Sequence, residues 1–146
     1  MVWPLLLALR PRQWTKNGLI FVALAFTLNL QDFTLVGKAL QAFVCFCALS
    51  SAGYLLNDVM DVEADRQHPT KRLRPIAAGS VPIGLALGLG LLLALVGLIG
   101  TFAINLPLGG LAVAYVALTA LYSASLKHVV LVDIFGLAAG FVLRAA

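Results

Sequence analysis

The chain has 146 residues, 62% of them hydrophobic and 11% charged, with a mean hydropathy of +1.01 and a formal net charge of +4. A soluble domain of this length keeps charge near a quarter of its residues, because its surface faces water. The composition excludes an ordinary soluble globule, gives no reason to expect a nucleic-acid partner, and predicts an all-α integral membrane protein with one membrane domain over residues 1–146.

In chain order, the apolar stretch Val2–Leu9 precedes Arg10, Arg12 and Lys16, the reverse of the charge order in a cleaved signal peptide. It reads as a short interfacial lead-in, with Trp3 and Trp14 at headgroup depth. A first span is predicted from Asn17 to Leu30, short enough to recruit Trp14–Lys16, and a second from Leu35 to Leu56. Cys45 and Cys47 lie two positions apart inside the second span, on different faces, and read as inert buried thiols. A third span covers Val81–Ile104, a fourth Leu106–Leu126, and a fifth begins near Val129 and is still apolar at Ala146. About twenty residues cross the hydrocarbon core, and continuous rather than alternating apolar runs indicate helices. Gly84 and Gly88, and again Gly136 and Gly140, have the small-xxx-small spacing that lets helix backbones approach. The sequence stops inside the apolar fifth span, which already carries Asp133 and Arg144, so it reads as one half of something larger.

The basic residues set an orientation. Arg10, Arg12 and Lys16 precede span one, Arg66, Lys71, Arg72 and Arg74 separate spans two and three, and Lys127 follows span four. The only basic residue near the junction of spans one and two is Lys38, in the first turn of span two, and no charge lies between three and four. Every basic cluster then falls on one side, which the positive-inside rule makes cytoplasmic.

The chemistry gathers where span two ends. Continued as a helix, Asp58, Asp61 and Asp65 fall at i, i+3 and i+7, within a sector of roughly 60°, with Asn57 at its border and Glu63 pointing elsewhere. Carboxylates on one face repel unless a cation lies between them, and Mg²⁺ is the hard cation that shares oxygen ligands with substrate phosphates. The cations just downstream, Arg66, Lys71, Arg72 and Arg74, suit a diphosphate leaving group. For the basic residues alone a topogenic role is the favoured reading, but three acids on one face of an otherwise uncharged helix end point to function. His68 and His128 carry no visible ligand geometry and receive no role.

Asn57-Asp58-x-x-Asp61-x-x-x-Asp65 resembles the first Asp-rich motif, NDxxDxxxD, of the UbiA superfamily of intramembrane prenyltransferases. Other segments are similar to its decaprenyl-phosphate phosphoribosyltransferase branch. These are Arg10-Pro-Arg-Gln-Trp-Thr-Lys16-Asn17, His68-Pro-Thr-Lys71-Arg72-Leu-Arg74-Pro-Ile-Ala-Ala-Gly79, Tyr122-Ser-x-x-Leu-Lys127 and Gly140-Phe-Val-Leu-Arg144-Ala145. The resemblance implies a ring of nine transmembrane helices around a cavity, of which this chain supplies four and the start of a fifth, as the N-terminal half. A second acidic motif would lie in the missing C-terminal half.

It further implies Mg²⁺-dependent transfer of 5-phosphoribosyl from phosphoribosyl diphosphate to a polyprenyl (decaprenyl) phosphate, in bacterial plasma membrane and cell-wall biosynthesis. Asp58, Asp61 and Asp65 would hold the metal, with Asp58, Asp61 and Lys71 catalytic. Asn57, Arg12, Lys16, Arg66, Arg72, Arg74, Tyr122, Lys127 and Asp133 would contact the two phosphorylated substrates. On these terms Asp58→Asn or Asp61→Asn abolishes turnover and leaves membrane insertion unchanged. Asp133 and Arg144 share a helical face, but about 16 Å of rise keeps them from pairing directly. The rival readings are a prenyl transfer from a prenyl diphosphate to an aromatic acceptor, an inactive fragment or non-enzymatic membrane module, and a transporter.

Overall fold

The computed structural model describes residues 2–26 and 31–123, and among them every regular element is a helix. Helix α1 spans Val2–Ala8, a 3₁₀ helix follows at Pro11–Gly18, and α2 spans Leu19–Phe26. Helix α3 (Phe33–Met60) runs almost directly into α4 (Val62–Gln67), and a 3₁₀ turn occupies Lys71–Leu73. Helices α5 (Ile83–Ile104) and α6 (Leu106–Leu121) complete the described chain.

Two of these helices, α3 with 28 residues and α5 with 22, are long and apolar enough to cross a membrane. At 1.5 Å per residue each exceeds a hydrocarbon core of about 30 Å. Helix α6, with 16 residues, is shorter than that. The fourth expected span thus begins where predicted, while the part of it beyond residue 123 lies outside the described residues, as do residues 27–30 of the first and all of the fifth. The first span differs from expectation at its start: Asn17 and Gly18 close the 3₁₀ helix, and α-helix begins at Leu19.

Capping explains two of the boundaries. Asp32 accepts hydrogen bonds from the backbone N–H of Thr34 (2.8 Å) and Leu35 (3.2 Å), satisfying donors that α3 would otherwise leave open. Asn105 alone separates α5 from α6, and its Oδ1 accepts from Leu108 N at 2.8 Å. A one-residue link folds α6 back against α5.

Helix α3 packs chiefly on α5, and α5 on α6. The close approach uses glycines other than those the spacing suggested. A Cβ on Gly97 would lie 3.0 Å from the carbonyl oxygen of Cys45 and press into Leu49, and one on Gly100 would strike the Cys45 thiol. Gly84 and Gly88 face open space, because their side of α5 does not meet α3; Gly136 and Gly140 lie outside the described residues. Cys45 and Cys47 are both buried and unbridged, as expected. Phe46 and Leu49 of α3 pack with Ala112 and Tyr115 of α6 in one core cluster. The outward side of α5 leaves Leu91, Leu95 and Ile99 more than half exposed, an apolar surface suited to lipid or to further helices.

A second cluster lies under the polar end. Ala8, Leu55, Val62, Ile76, Val81 and Ala86 bring α1, the α3–α4 joint, the following loop and the start of α5 together. This apolar base fixes the residues above it.

Candidate functional site

Helix α3 does not stop cleanly at Met60. Asp61 departs from helical angles (φ −95°, ψ 4°), yet the i→i−4 ladder survives it, with Asp61 N donating to Asn57 O (3.0 Å) and Asp65 N to Asp61 O (2.8 Å). The helical period therefore carries through residue 67. Asn57, Asp61 and Asp65, at i, i+4 and i+8, line one polar cleft of about 430 Å³ with Ala64, His68, Lys71, Arg74 and Tyr122.

Asp58 is placed differently from the expectation of a shared metal-facing edge. It is 2% exposed and lies off the cleft, where Arg10 Nη2 donates to its Oδ1 at 2.7 Å and Arg74 Nη1 to the same atom at 3.1 Å. Arg74 Nη1 also donates to Asp65 Oδ2 at 2.7 Å. A buried carboxylate must be paired, and two guanidinium groups pair this one. Arg10 reaches Asp58 from a left-handed backbone conformation (φ 52°), with its guanidinium 4.7 Å above the Tyr54 ring. Such a φ costs a non-glycine residue about 1–2 kcal/mol, which the ion pair and the cation–π contact offset. Trp14 donates from Nε1 to Ser51 Oγ (2.9 Å), and Ser51 Oγ donates to Leu9 O (2.9 Å); Trp3 is exposed.

The loop after α4 is held by its own backbone. Ala78 N donates to Arg74 O, Gly79 N to Ile76 O and Val81 N to Pro75 O. Gly79 takes φ +76°, a conformation an L side chain resists, so the glycine is required there. Ile76 and Val81 are each 1% exposed, and they anchor this loop to the cluster beneath it. Arg74, between them and α4, is thereby fixed at the cleft wall.

A second cleft, of about 410 Å³ and almost wholly apolar, runs between α3, α5 and α6. Leu49, Leu56, Leu87, Val116 and Thr119 are among its walls, and Asn57 lines both clefts. At the end of α6, Tyr122 faces the polar cleft and Ser123 the apolar one. Polar and apolar spaces therefore adjoin.

Of the residues expected to form the site, Asn57, Asp61, Asp65, Lys71, Arg74 and Tyr122 are brought together. Arg12 and Lys16 are exposed on the 3₁₀ helix and line none of the described clefts. Arg66 binds Glu63 (2.8 Å) and Ala77 O (3.3 Å), and Arg72 is exposed on the 3₁₀ turn, so neither reaches the cleft. Glu63 points away from the ladder, as expected. Lys127 and Asp133 lie outside the described residues.

Sequence reasoning gave no site role to Arg10 and His68. The helical period held a signal for His68, since Asn57, Asp61, Ala64 and His68 follow one another at i, i+4, i+7 and i+11. Nothing local announces that Arg10 meets Asp58.

The metal expectation can be judged on the donor set. Among the described residues, no three His, Cys, Asp or Glu side chains gather into a closed cation site. Mg²⁺ does not require one: it binds through one or two carboxylates and completes its shell with water and substrate phosphates. Asp61 and Asp65, with the Asn57 amide, fit that mode.

The profile of the UbiA prenyltransferase family matches residues 18–146, which include the whole acidic ladder, the basic loop and both clefts. The chain belongs to this family. UbiA proteins are integral membrane proteins and are generally dependent on a divalent metal. Among curated relatives, a decaprenyl-phosphate phosphoribosyltransferase of Mycobacterium tuberculosis is 42% identical over 142 residues, covering 94% of this chain and 47% of that protein. One from Corynebacterium glutamicum is 44% identical over 146 residues, covering 94% of this chain and 43% of its own. More distantly, a digeranylgeranylglyceryl phosphate synthase of Sulfolobus acidocaldarius is 35% identical over 91 residues, covering 60% of this chain and 31% of that one. The UbiA chain described here spans about half the length of the phosphoribosyltransferases it matches.

Proposed function

We propose that the protein transfers 5-phosphoribosyl from phosphoribosyl diphosphate to a polyprenyl phosphate in a bacterial plasma membrane, with Mg²⁺, as part of cell-wall construction. One observation carries the reading: carboxylates Asp61 and Asp65 and cations Lys71 and Arg74 line one polar cleft that shares Asn57 with an apolar one. The polar cleft suits a diphosphate and a sugar phosphate, and the apolar one a lipid tail. The relatives named decaprenyl-phosphate phosphoribosyltransferase support the choice of donor and acceptor.

In this reading the chain contributes four spans and part of a fifth to a nine-helix ring, with the basic loops on the cytoplasmic side, and the remainder of the full-length protein closes the cavity. Bound Mg²⁺ would neutralise the diphosphate and stabilise its charge as it leaves. Asp61, Asp65 and Asn57 are the residues of this chain that would hold it. Lys71 and Arg74 stabilise the departing diphosphate as the bond from the anomeric carbon to its oxygen breaks. A phosphate oxygen of the lipid forms the new bond to that carbon. The apolar cleft keeps the tail out of water, and Tyr122 lines the polar cleft in which the sugar phosphate would lie.

The test is an assay of membranes containing the full-length protein with each donor. Phosphoribosyl diphosphate and a polyprenyl phosphate should yield the phosphoribosylated lipid, with no product after chelation. Turnover of a prenyl diphosphate with an aromatic acid, and none of phosphoribosyl diphosphate, would replace this reading by the prenyl-transfer one. Turnover of neither would leave a non-enzymatic membrane module.

A further inference from the structure

His68 ends α4 and lines the polar cleft. Its Nδ1 lies 3.3 Å from the backbone N of Thr70, 3.3 Å from that of Lys71 and 3.2 Å from Thr70 Oγ1. A backbone N–H can only donate, so Nδ1 must offer its lone pair to both amides. A neutral imidazole then carries its proton on Nε2, at the opposite edge of the ring. The two amides belong to the turn that presents Lys71 to the same cleft. With one edge committed to that turn, the Nε2–H edge is the part of the ring left to face the cleft.

We infer that His68 is a neutral hydrogen-bond donor to the diphosphate, through Nε2–H, and that its Nδ1 holds the Lys71 turn in register with that contact. The inference rests on the reading of this cleft as a diphosphate site. A neutral donor has a use there that a further cation lacks: it contacts one more phosphate oxygen without adding positive charge beside Lys71 and Arg74. It is also directional, and so fixes the orientation of the leaving group as well as its charge. The tautomer is set by the backbone of the loop.

The two edges of the ring can be separated by amide side chains. In Asn the side-chain amide falls near the position of Nδ1, and in Gln the amide nitrogen falls near Nε2. Binding of inorganic diphosphate with Mg²⁺ to the full-length protein, measured by titration calorimetry, is compared for wild type, His68→Ala, His68→Asn, His68→Gln and Asp61→Asn at matched helical content. His68→Ala and His68→Asn should each weaken binding roughly tenfold, the worth of a hydrogen bond to a charged group, while His68→Gln recovers most of the affinity. Wild-type affinity in His68→Asn, with loss in His68→Gln, would reduce the ring to a cap on the turn and overturn the inference. Equal losses in all three His68 variants would overturn the Nε2 assignment. Wild-type affinity in all three, with Asp61→Asn defective, would remove His68 alone. Wild-type affinity in Asp61→Asn would remove the diphosphate site itself.

Discussion

Arg10 and Asp58 stand 48 residues apart in the chain, and the guanidinium of one meets the carboxylate of the other at 2.7 Å. The contact ties the segment after α1 to the last turn of α3, and Arg74 extends it to Asp65. Two acids and two arginines alternate along this chain of ion pairs. Asp58 is held in these ion pairs, while Asp61, three residues on, lines the cleft.

Asp58→Asn should therefore cost stability first. Removing the charge strands two arginines, each still about a quarter exposed, and we expect a loss of about 1–3 kcal/mol rather than the full cost of a deeply buried broken pair. Thermal unfolding in detergent checks this. An unchanged unfolding midpoint together with abolished Mg²⁺–diphosphate binding would place Asp58 in the metal-binding set rather than in the support of the fold.

Asp61→Asn should act on binding. Its side chain lines the cleft, so Mg²⁺–diphosphate affinity should fall at least about tenfold. Chelation of Mg²⁺ should lower wild-type affinity to a similar degree. Diphosphate that binds equally well in the presence of chelator would argue for capture by Lys71 and Arg74 alone.

The glycines of α5 separate into two kinds. Gly97→Ala puts a methyl against Leu49 and the Cys45 carbonyl and should destabilise the protein by about 1–3 kcal/mol, the usual cost of overpacking. Gly88→Ala meets open space and should be neutral or stabilising by up to about 1 kcal/mol through helix propensity. Paired unfolding curves decide, and equal effects would show that α3 and α5 do not approach at Gly97.

Asn105→Ala removes the side chain that caps α6 and should lower stability by about 1 kcal/mol, with Asn105→Asp or Asn105→Ser restoring most of it. An Asn105→Ala protein with wild-type stability would show that α6 is set by packing on α5 alone.

Much of this was legible before any coordinates. The apolar runs marked where α3, α5 and α6 lie, because lipid and core both demand continuous apolar faces. The acidic ladder marked the site. Its facing was less legible: an ideal wheel puts Asp58 within the sector of Asp61 and Asp65, and which edge turns inward depends on partners from Arg10 and Arg74. Those contacts are long-range, and spacing along one helix does not encode them. The same holds for Gly97, chosen over Gly84 and Gly88 by the crossing of α3 against α5. Arg66 and Arg72 look identical to Arg74 in the sequence, and only the fold of the loop distinguishes the one that reaches the carboxylates.

Asn57 belongs to both clefts, so wet and oily compartments meet across the width of a single amide. Any guest filling both must switch from ionic to greasy within a few ångströms, as a surfactant does at its neck. On the proposed reading, detergents of similar build compete for this berth during purification, and the choice of solubilising agent sets how much of the pocket is left for the lipid.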